Sequence, residues 1–170
     1  YDGRKGEYVW KAVMPNNVIE LVKYIDNSGK IQDITLTIAD STTQNSKFES
    51  AANPAMTTFA TRFTDGITLS NNDTEIRLVP DLSHVKNEIV AMSSAAVLEN
   101  DSVLMAEAER IDEKTIEYRY DSLTTVEYSL TYTGFKEDIV VSEYPGQTEY
   151  PFRLYTNGLS LTEIDGSYFL

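Results

Sequence analysis

Between residues 114 and 141 the chain alternates apolar and polar side chains with a period of two, and this rhythm restricts the possible folds more than any other feature of the sequence. From Val126 to Tyr132 the even positions are Val126, Tyr128, Leu130 and Tyr132, with Glu127, Ser129 and Thr131 between them. A strand sends successive side chains to opposite faces, so one row is directed into a core and the other into water. Ile116, Tyr118 and Tyr120 carry the same pattern before this run, and Ile139 and Val141 carry it afterwards. The spacing predicts a β-meander onto which the rest of the chain packs.

Composition supports the same class. The chain has 170 residues, 41% of them hydrophobic, which is enough for one domain with a core or two small β modules. Its eleven tyrosines, with many Thr, Val and Ile, fit a pleated, half-covered surface better than a helix. Acidic residues outnumber basic ones 27 to 14, for a formal charge of −13. A field of that sign repels phosphate backbones and anionic lipid. There is no cysteine, hence no disulfide, thiolate nucleophile or zinc–sulfur site. No apolar run reaches the roughly 18 residues of a membrane-spanning helix. The chain opens at Tyr1 without a signal peptide and ends on the apolar run of residues 167–170, which reads as a domain excised from a larger polypeptide.

In chain order, residues 7–14 read as a first strand ended by Pro15 and Asn16-Asn17. Residues 18–25 fit a strand or a short amphipathic helix; the turn at Asp26-Asn27-Ser28-Gly29 and the alternating run 31–38 favour the strand. Residues 39–56 have no period and are rich in Ser, Thr, Asn and Ala, so a long loop is expected there. Short strands follow at 57–63, 67–69 and 74–79, with turns at Thr64-Asp65-Gly66 and 70–73. Residues 93–110 permit a helix or a strand, and the flanking strands favour a hairpin. Residues 149–156 alternate again, Asn157-Gly158 is the strongest short-range hairpin signal, and residues 159–164 and 167–170 form a closing hairpin.

Little in the chain resembles reactive chemistry. The single histidine, His84, stands in a Pro-flanked loop without Cys partners or a nucleophile elbow, so a solvated loop position is expected. Glu117 and Glu127 would face each other if their strands paired in register, but like charges directly opposite are unfavourable, so a register that separates them is expected. Glu137 and Asp138 should point to opposite faces. Asn71-Asn72-Asp73 and the turn at 26–29 lack the full spacing of a calcium loop. Tyrosine rings can stack on sugars, although most strand tyrosines belong to cores. Tyr120 and Tyr155 are the candidate ligand-binding residues, provided they are exposed.

Residues 124–161, TTVEYSLTYTGFKEDIVVSEYPGQTEYPFRLYTNGLSL, resemble a β-rich module found upstream of the repeats in large RHS- or YD-repeat surface proteins of Gram-positive bacteria. The match runs through residues 134–140 and 152–159, residues 61–67 and 76–80 also resemble the pattern, and the resemblance covers the chain well from about Thr57 onward and weakly before it. The resemblance implies a secreted or surface-attached parent and offers no catalytic residues to carry over.

The expected fold is all-β, an antiparallel β-sandwich with one short helix at most. Residues 1–56 would form an N-terminal hairpin region and loop and residues 57–170 the main module, unless 1–170 is one continuous domain. The expected role is a non-catalytic structural or interaction module contacting neighbouring domains of its own polypeptide, with a carbohydrate- or protein-binding adhesion module as the alternative, its partner a glycan or host protein. No nucleic-acid partner, membrane insertion, cofactor, metal site or catalytic residue is expected.

Overall fold

The computed structural model describes residues 10–13, 19–26, 28–71, 74–82, 106–144, 146 and 148–169. All of its sheets are antiparallel. Strands β1 (Trp10–Val13), β2 (Ile19–Ile25) and β3 (Ile31–Asp33) form a three-stranded sheet. A six-stranded sheet contains β4 (Thr35–Asp40), β5 (Ser46–Ala52), β6 (Met56–Ala60), β7 (Ile67–Asn71), β8 (Thr74–Pro80) and β13 (Phe152–Thr156), in the order β13-β8-β7-β6-β5-β4. A four-stranded sheet of order β12-β11-β10-β9 is built from β9 (Glu109–Arg110), β10 (Thr115–Arg119), β11 (Thr124–Thr131) and β12 (Gly134–Val141). Strands β14 (Thr162–Ile164) and β15 (Ser167–Phe169) pair as a hairpin. The only helical element among the described residues is a 3-10 turn at Phe63–Asp65.

The two larger sheets enclose the core. Ile116, Tyr118, Val126, Tyr128 and Leu130 point inward from β10 and β11 and meet Ile38, Phe48, Phe59, Phe63 and Ile67 from the other layer. The β11 burial pattern alternates strictly along its length, as the two-residue period predicts. Tyr118 shows how the layers are joined: its ring stacks on Phe63 at 5.1 Å, and its hydroxyl donates to the Ala60 carbonyl at 2.6 Å. Burial, reinforced by the negative charge of Asp65, pushes the Tyr118 pKa above the ordinary phenol range. Phe63 N donates to Ala106 O and Ala108 N to Thr61 O, tying the end of β6 to the chain entering β9. Ile38 N donates to Glu113 O at 2.7 Å, and Asn53 Nδ2 donates to Thr131 O at 3.0 Å.

Several expectations change. The run 31–38 is two strands, separated at buried Ile34, because β3 pairs with β2 while β4 pairs with β5 in a different sheet. The loop expected across 39–56 is instead the end of β4, a turn, and β5. Its small polar residues hide the period, but Phe48 and Ser50 are buried at alternate positions, and the Ser50 hydroxyl accepts from Thr57 N at 3.0 Å. Pairing of β5 with β6 joins residues on both sides of position 56. Asn157-Gly158 makes a turn but no hairpin: β13 pairs with β8, distant in sequence, rather than with the residues that follow it. Of the ambiguous stretch 93–110, residues 109–110 are strand; His84 and residues 93–105 lie outside the described residues.

Local turn chemistry is legible. Asp26 ends β2 and accepts from Ser28 Oγ at 2.6 Å, Gln32 Nε2 at 2.8 Å and Lys30 N at 3.0 Å. These bonds hold its carboxyl well below the usual carboxylate range, the Ser28 hydroxyl contributing most. Gly66 follows the 3-10 turn with φ 78°, and a Cβ there would lie 2.2 Å from the Leu78 carbonyl oxygen. Only glycine suits both the dihedral and the space.

The β10–β11 register places Glu117 directly opposite Glu127, contrary to the expected separation. Glu109 and Asp138 extend the row, so one carboxylate from each of the four strands lies side by side. The inward row decides this. Burying a large apolar or aromatic side chain is worth about 1.5–3 kcal/mol, whereas a cross-strand like-charge pair costs only about 0.2–1 kcal/mol. A slip of one residue would turn Tyr118, Val126 and Tyr128 outward together.

Two outcomes follow for stability. Gly66→Ala should destabilise the fold by about 2 kcal/mol or more in urea denaturation, because backbone rather than a flexible side chain blocks the new Cβ. Glu127→Gln should stabilise it by about 0.5 kcal/mol, with the gain shrinking in high salt.

Candidate functional site

On the outer face of the six-stranded sheet, Thr58 of β6, Thr68 of β7, Arg77 of β8 and Tyr155 of β13 are consecutive cross-strand partners. Strands lie about 4.8 Å apart, so this row is a track about 14 Å long running across the strands. Beside it Ser70 pairs with Glu75. The turn before β5, with Asn45 in the left-handed region at φ 68°, rises at one side. Together these elements bound a depression of about 460 Å3 whose lining includes Gln44, Asn45, Thr58, Thr68, Ser70, Glu75 and Arg77.

Tyr155 extends the Arg77 end. The Arg77 guanidinium lies 5.1 Å from the Tyr155 ring centroid, within cation–π range. Arg153, two residues earlier on the same face, is held by Asp81 through Nε at 3.0 Å and NH2 at 2.9 Å. Its pKa is raised, mainly by the hydrogen bond to Asp81 and that residue's charge, with a smaller contribution from Tyr155. Tyr155 therefore has the Arg77 guanidinium against its ring and Arg153 interacting with its hydroxyl, and it remains 47% exposed.

The two candidate tyrosines separate. Tyr120 is fully buried, with its ring 6.1 Å from Phe63 and 5.2 Å from Tyr150, so it is a core residue and no ligand can stack on it. Inward parity in β10 and its continuation explains the difference, because Tyr120 shares the row of Ile116 and Tyr118. Tyr155 lies on the outward parity of β13. Arg77, Thr58 and Thr68 were not singled out from the sequence. Each is an ordinary strand residue until the pairing of β6, β7, β8 and β13 brings them into one row.

A second feature lies on β12. Glu137 is the cross-strand partner of Tyr128 and faces the core side, while Asp138 faces outward opposite Glu127, as strand parity requires. Neither the Tyr128 hydroxyl nor Glu137 Oε2 has a hydrogen-bond partner of good geometry. Burial raises the Glu137 pKa, and the nearby Tyr128 hydroxyl offsets this only in part. Burial likewise pushes the Tyr128 pKa up, with the Glu137 charge adding to it. Beyond Glu137 the strand continues with Ile139, Val140 and Val141, which are 37%, 43% and 40% exposed, and Tyr144 follows at 77%.

Among the described residues no group of three or more His, Cys, Asp or Glu side chains could hold a metal ion, the row of four carboxylates included. No helix of the described residues is long and apolar enough to cross a membrane. Comparison with protein-family models, curated proteins and solved structures finds no match to this chain.

Glu137 gives a signed pH dependence. Its native pKa lies above the ordinary 4.5, so above that pH the unfolded chain releases a proton that the native state keeps. Stability contributed by this group should fall as pH rises from about 4.5 through the raised native value and then level off. Glu137→Gln should remove that decline in urea midpoints measured across pH; an unchanged profile would contradict the assignment.

Proposed function

We propose that this domain is a non-catalytic structural or interaction module of a large bacterial cell-surface or secreted protein, packing against neighbouring segments of its own polypeptide. The observation carrying this reading is the second half of β12. Ile139 and Val141 lie on one face of the strand and Val140 on the other, a composition typical of a strand covered on both sides. All three are more than a third exposed, and Tyr144 beyond them is more exposed still. Exposed apolar side chains on both faces of one strand suit contact with neighbouring segments. The residues that carry the resemblance to the RHS- and YD-repeat modules are 134–140, within β12, and 152–159, which are β13 and the turn after it. The acidic surface suits a partner that is neither nucleic acid nor an anionic membrane face.

A second reading, a ligand-binding adhesion module, is favoured by the depression on the opposite sheet. Hydroxyl-radical footprinting distinguishes the packing role. In the parent polypeptide Ile139, Val141 and Tyr144 should be protected relative to the isolated domain. Equal labelling in both would overturn the packing role.

A further inference from the structure

We propose that the outer face of the six-stranded sheet binds a neutral oligosaccharide along the Thr58–Thr68–Arg77 row, with Tyr155 as its aromatic platform. This does not depend on the packing role of β12, which lies in the other sheet.

The depression has a built floor. Thr58, Thr68 and Ser70 stand on strands β6 and β7, and Arg77 and Glu75 stand on β8, so these groups are fixed by sheet pairing rather than by loops. Its volume of about 460 Å3 falls within the range of about 300–1,000 Å3 found for small-molecule sites. The track is longer than one pyranose ring, which suits a chain of sugars lying across the strands.

The chemistry of the lining selects the ligand class. Threonine and serine hydroxyls both donate and accept, Glu75 as a carboxylate only accepts, and Arg77 only donates. A sugar hydroxyl both donates and accepts, so vicinal hydroxyls can satisfy Arg77 and Glu75 together. The Arg77 side chain makes no ion pair or hydrogen bond among the described residues; its contact is with the Tyr155 ring. Charge complementarity argues against a polyanion: Arg77 is the only cation among the described lining residues, Asp65 and Glu75 belong to the same lining, and the chain carries a net charge of −13. Tyr155 supplies an apolar ring face. Its contact with Arg77 restricts the ring, so less rotamer freedom remains to be lost on binding.

The test is a glycan array probed with the isolated domain, followed by calorimetry and 15N-resolved NMR titration on a neutral oligosaccharide that binds. Saturable binding is expected, with shifts confined to β6, β7, β8 and β13. Tyr155→Ala and Arg77→Ala should each weaken it about tenfold or more while the unfolding midpoint stays near wild type, and Tyr155→Phe should retain it. Val140→Lys, which disturbs only the β12 surface, should leave it unchanged. The proposal is overturned if no neutral glycan binds, if only anionic glycans bind, or if binding is indifferent to Tyr155 and Arg77.

Discussion

The fold depends on the inward row of β10 and β11 meeting the aromatic residues of the facing sheet. Tyr118 is the centre of that contact. It stacks on Phe63, meets the edge of Tyr128 at 6.1 Å and donates its hydroxyl to Ala60 O. A tyrosine in this position adds apolar area to the core and also satisfies a backbone carbonyl at the end of β6. Neither layer could shift by one residue without exposing these rings and abandoning that bond.

Fixing the inward row fixes both outer surfaces. On the four-stranded sheet one outward row holds Glu109, Glu117, Glu127 and Asp138 in register, an arrangement tolerated because burial on the other face outweighs it. On the six-stranded sheet the outward residues include the hydroxyls of Thr58, Thr68 and Ser70 together with Glu75, Arg77 and Tyr155. The domain therefore presents one face crossed by a carboxylate row, with Lys136 paired to Asp138, and one face of mixed donors and acceptors. Gly66 contributes to the second by letting the chain leave the 3-10 turn close to the Leu78 carbonyl, which keeps β6, β7 and β8 flush.

The meander was legible because bulky apolar residues mark every second position of β11. In β5 the same parity is carried by Phe48 and Ser50 among small polar neighbours, so the sequence there reads as a loop. Its partners supply the stabilisation that its own residues do not advertise. Like charge was expected to separate Glu117 and Glu127, and hydrophobic registration overruled it. Asn157-Gly158 was legible as a turn but not in its consequence, since β13 closes onto a strand more than seventy residues earlier. Long-range pairing also explains why the Thr58–Tyr155 row could not be assembled from the sequence. Tyr120 and Tyr155 differ only in which face their strand parity assigns them, and that face is known once each strand has partners.

The most direct measurement of the central contact is a NOESY spectrum of the aromatic region. Strong cross-peaks are predicted between the ring protons of Tyr118 and those of both Phe63 and Tyr128. Cross-peaks to the Phe63 ring from Glu117 or Arg119 in place of Tyr118 would place β10 in the other register and contradict the account.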